Sequence, residues 1–170
     1  MQQQYKVIII GTSLTGKTTL TRYLREKSNL QIQEIDEELT KLNGGSFPKD
    51  DNYKNTVLVP QVKAKVLLNE NILFFTNAHY FTPEDLLTVR QKGFKIVQLF
   101  LNKEELEKRN KQRVQNEGYE DHSRWFDSML KYQKEIKDKG LIDKVIETNK
   151  PVEEVAQELM TFLQCFNCLI

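Results

Sequence analysis

Gly11-Thr12-Ser13-Leu14-Thr15-Gly16-Lys17-Thr18 is the stretch that decides the fold of this 170-residue chain. It follows the apolar run 5–10, whose unbroken valine and isoleucines predict a strand buried on both faces. It precedes the amphipathic run 19–25, which predicts a helix. The stretch is a complete G-x-x-x-x-G-K-[ST] pattern in the strand–turn–helix context that this pattern requires. The sequence therefore predicts a phosphate-binding loop, in which backbone N–H groups point at phosphate oxygens.

The last two residues of this loop have expected chemical roles. Lys17 can reach the β- and γ-phosphates of a nucleotide, and the Thr18 hydroxyl can ligate Mg²⁺. The positive end of the following helix adds to the field that attracts the phosphates. We therefore expect the donor phosphates to contact the loop and the residue that follows it, namely Gly11, Thr12, Ser13, Leu14, Thr15, Gly16, Lys17, Thr18 and Thr19.

Apolar strand-like runs alternate with amphipathic helix-like runs along the rest of the chain. After the strand at 5–10, further strands are expected at 31–35, 72–76, 95–101 and 143–146. Helices are expected after the caps Thr82 and Asn102, before Gly140 and from Pro151 onward. Pro60 interrupts the stretch 53–69, so a helix there is expected to begin near Val59 or to be kinked.

The composition excludes several classes of protein. Twenty-five lysines and arginines against 24 acidic residues leave a net charge of +1, whereas dedicated nucleic-acid binders usually carry a large basic excess. No apolar run approaches the roughly 20 residues that span a bilayer, and the start lacks the pattern of a signal peptide. We expect a cytoplasmic chain with a single domain over 1–170, in which Cys165 and Cys168 are ordinary reduced thiols.

The alternation of strands and helices predicts a mostly parallel sheet covered on both faces. Ligands of such sheets bind at the carboxyl ends of the strands. Asn77 and His79 follow the third predicted strand at that edge, so both are candidates for contact with a second substrate. A single histidine in such a position is also typical of a structural role.

With these residues in view, the chain resembles the P-loop kinases of the adenylate kinase and shikimate kinase type. The resemblance lies in the phosphate-binding loop, in the segment 35–44 with Asp36, in 99–113, and in 142–155. It implies a three-layer α/β/α fold with a five-stranded parallel sheet in the order 2-3-1-4-5 and a helical lid at about 110–125. It also implies ATP as the donor and Mg²⁺ as the metal, with the base of the nucleotide near Thr148, Asn149 and Lys150.

The resemblance also implies roles for three side chains. Asp36 is similar to the shikimate kinase aspartate that touches the acceptor hydroxyl, so it is expected to orient that hydroxyl, accept its proton, or hold Mg²⁺ through water. Its alternative role is the N-cap of a helix at 37–43. Arg109 and Arg113 are four residues apart on one helical face. They are expected to close over the transferring phosphate, and their alternative role is a solvated basic face.

The lack of arginine in one segment of the chain limits the kinds of acceptor that the sequence favours. No arginine occurs between Glu26 and Val89, where kinases of phosphorylated acceptors bind the phosphate with arginine forks. The sequence thus favours an uncharged or cationic small molecule or a nucleoside as acceptor, with nucleic acid expected only as a 5′-end substrate. The alternatives are a nucleoside monophosphate kinase, and a P-loop hydrolase or switch without an acceptor. We expect an ATP-dependent phosphotransferase that is a monomer or a homodimer.

Overall fold

A five-stranded parallel sheet forms the centre of the molecule in the computed structural model, which describes residues 4–165. The strand order is β2-β3-β1-β4-β5, as the resemblance implied. All four pairings are parallel. The strands are β1 (Tyr5–Gly11), β2 (Ile32–Glu34), β3 (Asn71–Asn77), β4 (Lys95–Phe100) and β5 (Lys144–Glu147).

Eight α-helices cover the sheet within the described residues, together with a π-helical segment (Lys54–Leu58) and a 3₁₀ turn (Ser123–Trp125). None of these helices is long and apolar enough to cross a membrane. Cys165 is exposed at the end of the last helix, and Cys168 lies outside the described residues. The helices are α1 (Lys17–Lys27), α2 (Ile35–Leu42), α3 (Asp51–Tyr53), α4 (Val59–Val66), α5 (Pro83–Gln91), α6 (Lys103–Glu117), α7 (Phe126–Asp138) and α8 (Val152–Cys165).

The three layers follow from the alternation of side chains along β1. Ile8 and Ile10 face a core formed with α2, α4, α5 and α7. Val7 and Ile9 face the opposite core, formed with α1 and α8. All four side chains are fully buried, which explains why β1 is apolar without a break. The predicted α/β/α architecture is confirmed.

The expected helix starts are also found in the structure. Thr82 accepts a hydrogen bond from the Asp85 N–H, and the Asp85 side chain accepts one from the Thr82 N–H, which completes a capping box for α5. The Asn102 side chain accepts from the Glu105 N–H and begins α6. These bonds satisfy N–H groups that a helix start otherwise leaves unpaired.

Pro60 shapes the helix between β2 and β3. The proline has no N–H, and its ring collides with the carbonyl four residues earlier in an α-helix. The chain widens into the π-helical segment before α4, and regular α-helix begins at Val59 as expected. The helical path nevertheless reaches back through the π turn to α3, which the sequence analysis did not predict.

The alternative role expected for Asp36, as the N-cap of a helix at 37–43, was wrong. β2 ends at Glu34 and α2 begins at Ile35, so Asp36 neither closes the strand nor caps the helix. The extended backbone of Glu34 takes the N-cap position, while its side chain accepts a hydrogen bond from Thr21 Oγ1 instead of capping. Asp36 belongs to a first turn with three acidic residues, which the positive end of the helix dipole stabilises.

Candidate active site

The phosphate-binding loop joins β1 to α1 and has a constrained backbone. Leu14 and Gly16 have φ angles of 68° and 89°, in the left-handed region that turns successive N–H groups to one side. A Cβ on Gly11 would lie 2.5 Å from Thr15 Oγ1, so only glycine fits at that position. Thr15 Oγ1 in turn donates to the Thr12 carbonyl over 2.9 Å. The loop is therefore closely packed and preformed.

Lys17 is the charged group at the centre of this loop. Its Nζ donates to the carbonyls of Gly11 and Thr12 over 2.9 and 2.7 Å. Burial lowers the pKa of Lys17 to about 8, although the negative charges of Asp36 and Glu34 oppose that change. A buried ammonium without a close carboxylate gains from an arriving anion, so the loop is suited to bind phosphate.

A cavity of about 740 Å³ opens at the carboxyl edge of the sheet beside the loop. It is lined by side chains from the loop, α1, α2, β3 and α6. The structure thus brings together residues that the sequence analysis selected from distant segments: Ser13, Leu14, Gly16, Lys17, Thr18, Thr19, Asp36, Asn77, Arg109 and Arg113.

Asp36 faces Lys17 across this cavity. Burial raises the pKa of the Asp36 carboxyl, and the rise is opposed by the charge of Lys17, by a hydrogen bond from Asn77 and by the charge of Lys54. A carboxyl group with a raised pKa accepts a proton more readily than an ordinary aspartate does. Asp36 lies in the same cavity lining as Lys17 and Thr18, beside the phosphate-binding loop.

Arg109 ties the loop to the segment after β5. Its Nη1 donates to the Leu14 carbonyl and its Nη2 to the Thr148 carbonyl, each over 3.0 Å. Arg109 also lines a second cavity of about 150 Å³, together with Thr148 and Lys150. Asn149, the other residue expected near the nucleotide base, is exposed and lines neither cavity.

Arg113 lies one turn further along α6. Its guanidinium carbon is 3.8 Å from the centre of the Tyr119 ring, and its Nε is 3.8 Å from Glu117 Oε2. Both contacts leave the side chain at the cavity wall, where it is 38% exposed. The spacing of four residues therefore does place Arg109 and Arg113 on the same side of α6, as expected.

The loop after α6 is held by a buried amide that the sequence analysis did not single out. Asn110 donates to Asp121 Oδ1 over 2.7 Å and accepts from the His122 N–H over 3.0 Å. Hydrogen bonds from Ser123 and Asn110 lower the pKa of Asp121 to about 2. This anchor places Tyr119 and His122 in the lining of the large cavity.

His79 and Arg124 are not brought into the cavity lining. His79 has a left-handed backbone with a φ of 75°, and its exposed ring lies 4.9 Å from the Tyr132 ring, centroid to centroid. Arg124 pairs with Glu120 over 3.0 Å and lies over the Trp125 ring. The carboxyl end of a strand fixes which edge a residue occupies, but not the direction of its side chain.

Two further residues, Lys54 and Tyr80, lie near Asp36. Lys54, at the start of the π-helical segment, is only 13% exposed and lies 2.5 Å from Asp51 Oδ1. Its charge acts on Asp36. The pKa of Tyr80 is raised to about 12 by burial and by the charges of Asp36 and Asp51. The place of Lys54 beside Asp36 depends on the π-helical segment, and that of Tyr80 depends on the path of the chain after β3.

The described residues contain no cluster of three or more His, Cys, Asp or Glu side chains that could hold a metal by itself. Thr18 and Asp36 nevertheless line the same cavity beside the phosphate-binding loop. One hydroxyl and one carboxylate are the kind of incomplete ligand set that Mg²⁺ completes with nucleotide phosphates and water. These residues fit a metal ion that arrives with a nucleotide.

Comparison with known proteins agrees with this geometry at the level of the fold. No family model matches the chain, and no curated protein matches it in sequence. Solved structures do match: shikimate kinase from Aquifex aeolicus has a TM-score of 0.71 at 20% identity, covering 96% of this chain and 99% of that one. A gluconokinase from Sinorhizobium meliloti has a TM-score of 0.61 at 16% identity, covering 98% and 95%.

A third similar structure is the YorR protein of Bacillus subtilis in complex with phosphorylated GDP. Its TM-score is 0.66 at 14% identity, and the match covers 96% of this chain and 99% of that one. The chain has the fold of P-loop kinases, with the Gly11–Thr18 loop between β1 and α1. Its particular fold is that of the shikimate kinase type of P-loop kinase, which confirms the resemblance seen in the sequence.

Proposed function

We propose that the protein is a P-loop kinase that transfers the γ-phosphoryl group of ATP to a hydroxyl of a small molecule or nucleoside. The observation that carries this proposal is the position of Asp36, whose pKa is raised, across one cavity from Lys17 and Thr18. A hydrolase or a switch needs no acceptor chamber. Here the cavity of about 740 Å³ extends from the loop to Asp36 and Asn77, which leaves room for a second substrate.

The donor side uses the preformed loop. The backbone N–H groups around Leu14 and Gly16 cradle the phosphates, and Lys17 exchanges its bonds with loop carbonyls for bonds with phosphate oxygens. Thr18 would hold Mg²⁺ directly and Asp36 would hold it through water, and the bound metal would neutralise charge on the phosphates. Arg109 and Lys150, which line the smaller cavity, would contact the donor base.

On the acceptor side, Asp36 accepts the proton of the attacking hydroxyl while Asn77 helps to orient it. The hydroxyl oxygen forms a bond to the γ-phosphorus as the bond to the ADP oxygen breaks, so the proton leaves with Asp36 and the negative charge leaves with ADP. Arg113 supplies positive charge to the transferring group. The segment of about 110–125 acts as the lid, because it carries Arg113, Tyr119 and His122 to the cavity.

The structural neighbours support this class of reaction. Two of them, shikimate kinase and gluconokinase, are by name kinases of small molecules. We extend the proposal to a single domain over 1–170 that works in the cytoplasm as a monomer or a homodimer. Nucleic acid enters this proposal only as a 5′-end substrate.

The test is incubation of the protein with Mg·ATP and a mixture of small metabolites and nucleosides, followed by mass spectrometry. We expect one species to gain a phosphoryl group with the wild-type protein and not with Lys17→Ala. Accumulation of ADP without any new phosphorylated species would contradict a kinase and favour a hydrolase.

A further inference from the structure

Leu14 is the one apolar side chain in a loop whose other side chains carry hydroxyl or ammonium groups. Its backbone φ is 68°, in the left-handed region that favours glycine. Holding a leucine there costs free energy, whereas a glycine would adopt the same backbone without strain. The path of the backbone thus gives no reason for a leucine at this position.

The side chain of Leu14 lies on the face of the sheet that carries α2. It packs against the core that α2, α4, α5 and α7 form on that face. The smaller cavity, where the donor base is proposed to bind, is lined instead by Leu20, Leu99 and Val155 of the opposite core. Leu14 also lines the large cavity, as does Asp36 of α2. The leucine therefore places an apolar surface beside the proposed site of phosphoryl transfer, on the side of the acceptor.

Both the backbone and the side chain of Leu14 are anchored. The carbonyl accepts the hydrogen bond of 3.0 Å from Arg109 Nη1. The side chain is half-buried against the core, so it belongs to the preformed loop and not to the proposed lid. An apolar surface fixed in this way keeps water from one side of the transferring phosphate before any closing motion takes place.

The proposed reaction requires that the site distinguish an acceptor hydroxyl from water. Both are oxygen nucleophiles, and Asp36 can accept a proton from either of them. A cavity of about 740 Å³ admits many water molecules, since each occupies about 30 Å³ in the liquid. A water molecule keeps a defined position only where it has about two to four polar partners. Beside Leu14 it lacks partners on one side, whereas an acceptor can pack its carbon atoms against the leucine.

We propose that Leu14 is a specificity-determining residue, which disfavours water as the nucleophile and favours a hydroxyl whose carbon frame packs against the leucine. This inference rests on the proposed kinase function and deepens it. In the favoured reaction the acceptor oxygen bonds to the γ-phosphorus, the bond to the ADP oxygen breaks and the proton passes to Asp36. In the disfavoured reaction the oxygen of water takes that place, and the products are ADP and inorganic phosphate.

The experiment measures hydrolysis of labelled Mg·ATP without any acceptor. Leu14→Asn is the decisive variant, because asparagine is also branched at Cγ, tolerates a positive φ and can hydrogen-bond water. We expect Leu14→Asn to release inorganic phosphate about 10-fold faster than the wild type, which is roughly the effect of one hydrogen bond that orients the attacking water. Its affinity for Mg·ATP, measured by calorimetry, should stay near that of the wild type, because the loop N–H groups and Lys17 are unchanged.

Three further variants separate the apolar side chain from other effects. Leu14→Met keeps an apolar side chain and should hydrolyse ATP far more slowly than Leu14→Asn. Leu68→Asn is the matched control and should behave as the wild type, because Leu68 is 83% exposed and lies outside the cavity lining. Leu14→Gly replaces Leu14→Asn if the latter does not bind Mg·ATP, since glycine adopts this φ without strain.

Equal hydrolysis by the wild type and Leu14→Asn would overturn the inference and leave the kinase proposal intact. Equal acceleration in Leu14→Met and Leu14→Asn would also overturn it, and so would loss of Mg·ATP binding in both Leu14→Asn and Leu14→Gly, because Leu14 would then serve only the conformation of the loop. Rapid hydrolysis by the wild type without an acceptor would contradict the kinase proposal itself, and this inference with it. The two failures are therefore distinguishable in one series of assays.

Discussion

Arg109 on α6 donates a hydrogen bond of 3.0 Å to the backbone carbonyl of Leu14, a residue 95 positions away in the chain. Leu14 is one of two non-glycine residues in the described part of the chain with a positive φ, at 68°. The second Nη atom of Arg109 holds Thr148, so a single guanidinium fixes the strained turn of the phosphate-binding loop against the segment after β5. The loop is thus preorganised by a residue that precedes the proposed lid.

Substitutions of Arg109 and Arg113 should therefore have different effects on nucleotide binding and on kcat. Arg109→Lys can hold only one of the two carbonyls, so we expect weaker nucleotide binding by about 10-fold with a smaller change in kcat. Arg113→Gln should lower kcat by about 100-fold, because its charge acts on the transferring group. Steady-state kinetics over a range of ATP concentrations separate these effects. Arg90→Gln is the control for both, because Arg90 lies on α5 and lines neither cavity, and a similar loss in that variant would contradict the assignment.

The pH dependence of kcat/KM tests the two titrating groups. Asp36 must be ionised to accept a proton, and its pKa is raised, so activity should rise with pH through a value above that of an ordinary aspartate. Lys17 must be charged to bind phosphate, so activity of the free enzyme should fall again as pH passes about 8. Bound phosphates favour the charged lysine, so the alkaline limb of kcat should lie at a higher pH than that of kcat/KM. A profile that stays flat between pH 4 and 9 would contradict both roles.

Gly11→Ala tests the packing of the phosphate-binding loop. The added Cβ would lie 2.5 Å from Thr15 Oγ1 and 3.3 Å from Lys17 Cγ, so the loop must shift. We expect a loss of stability of about 1–3 kcal/mol and at least a tenfold loss of nucleotide affinity. Gly93→Ala is the control for backbone strain without a steric clash, since its φ of 84° is positive but nothing lies within 4 Å of the new Cβ. That variant should lose stability alone, as measured by urea unfolding and nucleotide titration.

Substitutions of Glu38 and of its lysine partners test the ionic link between α2 and α4. Its carboxylate is 2% exposed and binds Lys41 over 2.7 Å and Lys65 over 2.6 Å, while both lysines are more than half exposed. Burial favours the protonated form, but the hydrogen bonds from the two lysines outweigh it and lower the pKa of Glu38. The stability from this link is therefore present above the ordinary glutamate pKa and is lost as pH falls through the lower, folded-state pKa.

Because the lysines regain water when the link is broken, Glu38→Gln should cost only about 1–2 kcal/mol. The double variant Lys41→Met with Lys65→Met should cost more, since it leaves a buried carboxylate without a partner. Chemical unfolding at neutral pH compares the two. Equal losses would contradict this order.

The fold was accessible from sequence because its determinants are local. The Gly11–Thr18 pattern, the unbroken apolar run of β1 and the Thr82 and Asn102 caps each act over a few neighbouring residues. Asp36 was identified by the resemblance of the segment 35–44, but its place in α2 was missed because Glu34 takes the N-cap position.

Other parts of the site depend on contacts between distant segments. Asn110 holds the loop that brings Tyr119 and His122 to the cavity, and nothing in an isolated α6 sequence reveals that bond. His79 was expected at the cavity because it follows β3, yet its left-handed backbone leads the ring to Tyr132.

The central claim is that Lys17 holds the donor and Asp36 activates the acceptor. Its most direct test measures Mg·ATP binding by calorimetry and phosphoryl transfer from labelled ATP for the wild type, Lys17→Ala and Asp36→Asn. We predict that Lys17→Ala loses tight ATP binding, while Asp36→Asn keeps nearly the wild-type affinity and transfers at least 100-fold more slowly, a loss of about 2.7 kcal/mol of transition-state stabilisation. Transfer by Asp36→Asn at the wild-type rate would contradict the account.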